Sequence, residues 1–315
     1  MSLKNILKNW TLFVSMATGT LLYLLFSQIE ALSGAATVLE PVVRELLPVV
    51  MFLVLFVTFC KVDFRKMRPV GWHGWIGLVQ LLLVAGAVGV IAGLRPTGSR
   101  LVLMEAALTC VIAPCASAAP VVTGKLGGDL SAMTTYTFIS NFATAFLIPL
   151  TFPLVDPSIE MSFFQSFCRI FYRVCTVLLG PMLLAYVVKH YFHRVHRVVL
   201  SVRDLSFYLW ACCLAIVTGT TIRNILHAGT SAQVLLLIAL FSLLLCLLQF
   251  AVGRRLGHRL GFVVECGQAM GQKNTAFAIW IASSYLNPLS SVGPGCYILW
   301  QNIINSLQLW RYGRK

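Results

Sequence analysis

The chain has 315 residues, 58% of them hydrophobic and 11% charged, with a mean hydropathy of +0.85. Soluble proteins average about 25% charged residues, so there are too few charges here to cover a water-facing surface, and a soluble enzyme, a disordered chain, a collagen and a disulfide scaffold are excluded. The 24 Lys and Arg against 10 acidic residues give a formal +14; in a chain solvated by lipid this reflects basic connections facing anionic headgroups, and no nucleic-acid partner is expected.

A membrane-crossing helix needs about 20 mostly apolar residues. Ten segments qualify: 9–29, 42–60, 71–94, 102–124, 130–154, 166–188, 205–226, 231–252, 260–285 and 291–310. The first follows Lys4 and Lys8, but its apolar run is long and no small-residue cleavage site follows it clearly, so it reads as a span. The connections are too short to hold a water-soluble domain.

Taking the connections alternately, 17 Lys and Arg fall on the side of the N-terminus and 3 (Arg95, Arg100 and Arg223) on the other. The opposite side carries Glu30, Glu40, Asp156 and Glu160. That bias places both termini in the cytoplasm and requires an even number of spans; the expected location is a bacterial inner membrane. The ten Cys sit mostly in apolar runs without CxxC or zinc spacing, and free thiols are expected.

In chain order, the third span brings Gln80, in GWIGLVQ. The fourth is not a plain lipid-facing helix. It reads EAALTCVIAPCASAAPVVTGKLGGD, with Pro114 and Pro120 in a small-residue stretch and Glu105 near its outer end. Proline removes a backbone donor and clashes with the preceding turn. The fifth carries Thr137 and Asn141, the latter read as a partner of the crossing or of a neighbouring helix. The sixth carries Arg169 and Arg173, which either guide an anion or pair with lipid phosphate. His190, His193 and His196 then share one basic cytoplasmic connection, read as a solvated loop near headgroups rather than a metal site. The eighth span is an unbroken apolar run.

The ninth span reads ECGQAMGQKNTAFAIW, with Gly267 and Gly271 and a polar cluster of Gln268, Gln272, Lys273 and Asn274 at mid-membrane depth. Irregular backbone at that depth is tolerated only where it packs in protein or lines a watery cavity. In the tenth span Gln301 precedes Asn302 and Asn305, which share a face. That face is read as looking into the cavity with Asn274 and Ser117, or as binding helices together.

The two irregular spans are the fourth of the first five and the fourth of the second five. This correspondence points to a secondary transporter built from inverted repeats. The expected fold is an all-α polytopic membrane protein: ten helices as two inverted five-helix repeats, about 9–154 and 166–310, with discontinuous helices 4 and 9 crossing. The competing reading is that the prolines merely kink packed helices.

The stretches APCASAAPVVTGKLGGDLS, GQKNTAFAI and YILWQNIINSLQLW, with the ten spans, resemble the bile acid:sodium symporter family of the bile/arsenite/riboflavin transporter superfamily. The resemblance implies a panel domain from helices 1, 2, 6 and 7 and a core from helices 3–5 and 8–10. It places the helix 4/9 crossing beside a substrate cavity and two sodium sites. The family pattern Pro-Gly-Gly-x-x-Ser-Asn puts Ala119 and Pro120 at its Ser and Asn. The pattern Glu-x-Gly-x-Gln-Asn puts Ala269 and Lys273 at its Glu and Gln. Only Gln80 and Thr137 match ligand-bearing positions, and a hard cation needs several oxygens.

Lys273 is therefore read as a tethered cation in place of a sodium ion, since ionisable residues at such depth are costly and usually functional. It is also a group that could load and release a proton. Snorkelling to an interface is the bland alternative. Glu265, eight residues earlier, is about 12 Å away along an unbroken helix; it pairs with Lys273 only if the helix breaks, or is a displaced family glutamate.

The expected function is alternating-access transport of a small organic anion. Ser117, Ala118, Asn274, Asn302 and Asn305 are its substrate-binding candidates. Lys273, Glu265, Gln80 and Thr137 are its ion-coupling candidates, with Pro114, Pro120, Gly267 and Gly271 as the helix breaks. Sodium independence is expected, with sodium-coupled symport through rearranged ligands or proton-coupled exchange as alternatives. No cofactor or metal is expected. No HExxH, GxSxG, Walker or GxGxxG motif supports an enzyme, and no repeated pore pattern supports a channel.

Overall fold

The computed structural model describes residues 11–29, 33–155, 162–202, 204–227 and 229–313. Part of the charge reading (Lys4, Lys8, Glu30, Asp156, Glu160, Arg203, Arg314 and Lys315) lies outside these residues. The described chain is all helical, with 13 α-helices and no strands among the described residues. In order they are α1 (Thr11–Gln28), α2 (Ser33–Lys61), α3 (Gly71–Leu94), α4 (Ser99–Ile112), α5 (Ala119–Lys125), α6 (Leu130–Val155), α7 (Phe163–Tyr191), α8 (His193–Ser201), α9 (Leu205–Leu226), α10 (Ala232–Leu260), α11 (Val263–Gly271), α12 (Thr275–Tyr285) and α13 (Val292–Tyr312). Short 3₁₀ turns occupy Phe64–Lys66 and Pro288–Ser291.

Six of these helices (α1, α3, α6, α7, α9 and α10) are long and apolar enough to cross a bilayer unaided. The chain is a multi-pass membrane protein. The fourth read span is the pair α4 and α5, of 14 and 7 residues. The ninth is the pair α11 and α12, of 9 and 11 residues. No half reaches the roughly 20 residues that a crossing requires. Helix α8 is an addition: the sequence pattern predicts only a loop there. All ten cysteines are free.

The chain divides into two compact units. The first comprises 1–62, 179–227 and 302–315. Its helices α1 and α9 approach closely at Gly19, where an added methyl would meet the Ala215 backbone, and at Gly219, where it would lie 3.0 Å from Gly19 O. Lipid offers no hydrophobic drive between helices, so small residues that bring backbones together supply the packing.

The second unit comprises 63–178 and 228–301. Here α10 and α11 form a hairpin turned by Gly261, which sits in the left-handed region at φ +81°. A methyl on Gly257 would fall 2.6 Å from Phe262 O, so the two backbones touch. The unit's core gathers Trp72, Ile76, Cys115, Ala116, Met133 and Met270 around the two helix interruptions.

Candidate functional site

The first interruption follows from Pro114. With no N–H at that position, the Cys110 carbonyl loses its helical donor, and the last carbonyls of α4 need partners from elsewhere. Three neighbouring helices supply them. Gln249 Nε2 on α10 donates to Cys110 O at 3.3 Å. Gln80 on α3 donates its amide N–H to Val111 O. Thr144 Oγ1 on α6 donates to Ile112 O at 3.3 Å. One turn earlier on α6, Ser140 Oγ accepts from Cys115 N at 2.9 Å, and Asn141 Nδ2 donates to Cys115 O at 3.2 Å.

The second interruption lies directly against the first. Cys115 and Lys273 form a single antiparallel bridge. Ala116 N donates to Gln272 O at 2.9 Å and Asn274 N to Pro114 O at 2.8 Å. Gln301 on α13 closes the remaining peptide from both sides: its Oε1 accepts from Lys273 N at 2.8 Å and its Nε2 donates to Lys273 O at 3.2 Å. Tyr297 OH donates to Gly271 O at 2.9 Å, completing the ring of partners. The two breaks thus meet inside the protein with these backbone groups paired, as a water-poor interior demands.

Lys273 is 2% exposed. Its ammonium donates to Gln80 Oε1 at 2.7 Å and to Val111 O at 3.3 Å. Both partners are neutral oxygens, so neither balances the charge with a carboxylate. Val111 lies in the last turn of α4, where the helix macrodipole is negative and favours a cation. Gln80 acts as a clamp, its oxygen on Lys273 and its amide on Val111.

Of the other predicted residues, Thr137 is beside Cys115, but its hydroxyl donates to Met133 O at 3.0 Å within its own helix. Asn274 caps α12, its Oδ1 accepting from Phe277 N at 3.2 Å. Ser117 is buried in the first break, and its Oγ has no hydrogen-bond partner among the described residues. Ala118 is the N-cap of α5, and Pro120 lies in its first turn, where proline starts a helix rather than breaking one. Gly271 ends α11 with the Phe250 ring packed against it. Gly267 lies inside α11, where its missing side chain makes room for the Arg254 stem.

Glu265 stands apart from Lys273. It occupies the first turn of α11, where a carboxylate suits the positive end of a helix, and its Oε1 accepts from Asp129 N at 2.7 Å. Asn302 and Asn305 are buried in α13 and belong to the first unit; Asn302 O accepts from Ser306 Oγ at 2.8 Å. Glu105, expected at an interface, is 1% exposed and accepts from Asn287 N at 3.2 Å. The guanidinium of Arg173 lies 4.1 Å over the Trp280 ring, a cation–π contact.

Ser140, Thr144, Gln249 and Tyr297 are site residues that the sequence pattern does not single out. Gln249 carries the one usable signal, as a lone amide in the apolar run of the eighth span. Ser140 and Thr144 carry none, because hydroxyls commonly turn back onto their own helix.

Two interrupted helices meeting inside a polytopic helical protein are an arrangement that secondary transporters use. A family model described as the Sodium Bile acid symporter family matches residues 48–228, and the chain belongs to that family. The match takes in the first interruption, while the second lies beyond it. No match is found among curated proteins.

Proposed function

We propose that the protein is a secondary active transporter of a small organic anion, working by alternating access without sodium, with the Lys273 ammonium standing where a coupling cation would sit. The observation that carries this is the ammonium held by Gln80 Oε1 at 2.7 Å and Val111 O at 3.3 Å, both neutral oxygens. A buried cation held only by neutral oxygens favours an arriving anion. The rival sodium-coupled reading needs oxygens at Gln80, Thr137 and Glu265. The first is taken by Lys273, the second donates along its own helix, and the third is turned toward Asp129.

The reading includes ten spans as two inverted repeats, with the basic connections cytoplasmic. The antiparallel contact of the two breaks supports it. So does the division into two units, one built largely from α1, α2 and α9 and the other from α3–α6 and α10–α12. We read these as a panel and a core, with α7 divided between them at 178/179 and α13 at 301/302.

The test is thermal unfolding of the purified protein in NaCl against KCl at matched ionic strength, for wild type and Lys273→Gln. Saturating a specific site at about 100 times its Kd stabilises by roughly 2.7 kcal/mol. The expected result is no sodium-specific shift in the wild type. A clear sodium stabilisation of the wild type overturns sodium independence.

A further inference from the structure

Helix α8 has no buried residue, unlike the helices that cross the membrane. It has nine residues, and isolated helices shorter than about 12–15 residues are marginal in water. Its own turns therefore do not account for it, and within the protein it is held along one edge, against the end of α2, with its outer face left exposed.

Its sequence HRVHRVVLS is amphipathic, with a valine stripe beside a basic face that also carries Leu200. Val195, Val198 and Val202, with Phe192 one turn before, recur at helical spacing on one side. They are exposed, Val198 to 67% and Phe192 to 55%. Arg197 lies on the far side and Arg194 at the stripe's edge, one turn before Val198; both are exposed, and neither has a hydrogen-bond or ion-pair partner among the described residues.

The position of the helix is fixed at its edges. It follows α7 at once and leads into α9, two membrane-crossing helices whose ends it joins. His196 Nε2 lies 3.0 Å from Cys60 O, tying the helix edge to the end of α2. Nearby, Lys189 Nζ donates to Val62 O at 3.1 Å. Tyr191, 74% exposed, and Tyr208, 45% exposed, flank it in the chain, and tyrosine is enriched at membrane interfaces.

A short basic helix with an exposed apolar stripe, fixed at the ends of membrane spans, has the chemistry of a helix lying in the membrane plane. We propose that α8 is an in-plane anchor that binds anionic phospholipid headgroups: its valines and Phe192 enter the acyl boundary, and Arg194 and Arg197 take the lipid phosphates. The charge commits the occupant. Two unpaired arginines would gain nothing from a neutral apolar surface, and a purely apolar partner would leave them without counter-ions.

The test uses the full chain in nanodiscs of phosphatidylcholine alone and of an equimolar mixture with phosphatidylglycerol. The readout is hydrogen–deuterium exchange of the amides of 194–201. Each arginine near an anionic surface contributes on the order of fivefold, so the wild type is expected to exchange roughly thirtyfold more slowly in the mixture. Arg194→Gln/Arg197→Gln removes the difference between the two lipids. Val195→Ser/Val198→Ser speeds exchange in both. Amides of α9 serve as the control for folding and stay unchanged. Equal wild-type rates in the two lipids, or a lipid difference that survives loss of both arginines, overturns the proposal.

Discussion

The two interruptions solve one problem in different ways. The first, at 113–118, has its exposed backbone paired mainly by side chains from neighbouring helices: Gln80, Ser140, Asn141, Thr144 and Gln249. The second, at 271–274, is paired by the first break, by Thr275 N on Lys273 O and by two side chains of α13: Tyr297 on Gly271 O, and Gln301, which meets both the N–H and the C=O of Lys273. The side-chain support of the first break is thus distributed over three helices, and that of the second concentrated on α13, chiefly on Gln301. Distributed support tolerates loss of a member; concentrated support does not.

That difference is open to direct attack. The largest effect is expected from Gln301→Leu, which strips the buried Lys273 N–H of its partner and leaves Lys273 O with Thr275 N alone. At about 1–3 kcal/mol for the unsatisfied N–H and about 0.5–1.5 kcal/mol for the lost second bond to the carbonyl, the loss is roughly 1.5–4.5 kcal/mol, read as a lowered unfolding temperature in detergent. An unchanged temperature would show that Gln301 does not support the second break.

Next comes Gln80→Leu, which leaves the Lys273 ammonium without its shortest bond, that to Gln80 Oε1. Hydrogen bonds to charged groups are worth about 1.5–3 kcal/mol. Adding Lys273→Met should recover part of the loss, since it removes the stranded charge. A double-mutant cycle measures that coupling directly, and purely additive losses would show that the two side chains act independently.

Asn141→Leu should cost about 1–3 kcal/mol, because Cys115 O loses its side-chain donor. Thr144→Val should cost least, below about 1 kcal/mol, since its bond to Ile112 O is 3.3 Å long and the shape of the side chain is kept. If Thr144→Val proved as damaging as Gln301→Leu, the contrast between the two breaks would collapse.

Much of this region is legible in the chain. Pro114 marks the first break because proline lacks an N–H wherever it stands, and Lys273 stands out as a charge in an apolar run. Glu265 is harder, since its partner, Asp129 N, is a backbone group and leaves no trace in composition. Gln301 is visible as one of several polar residues in the tenth span, but nothing in its neighbours distinguishes a side chain that closes a peptide from one that faces a cavity. Gly267 reads as a break because glycine weakens helices; in the structure its vacancy is filled by the Arg254 stem, a contact distant in sequence. Helix α8 escapes the sequence pattern because a short amphipathic stretch does not stand out beside spans of about twenty residues or more.

The close backbone contact between α10 and α11 has a mechanical consequence. With Gly253 set against Cys266 O and Gly257 against Phe262 O, neither helix can slide past the other without a collision, nor swing away without opening a void. The hairpin therefore moves as one stiff arm, 29 residues long on its α10 side. Any displacement of Lys273 relative to α11 is confined to the joint at 272–274.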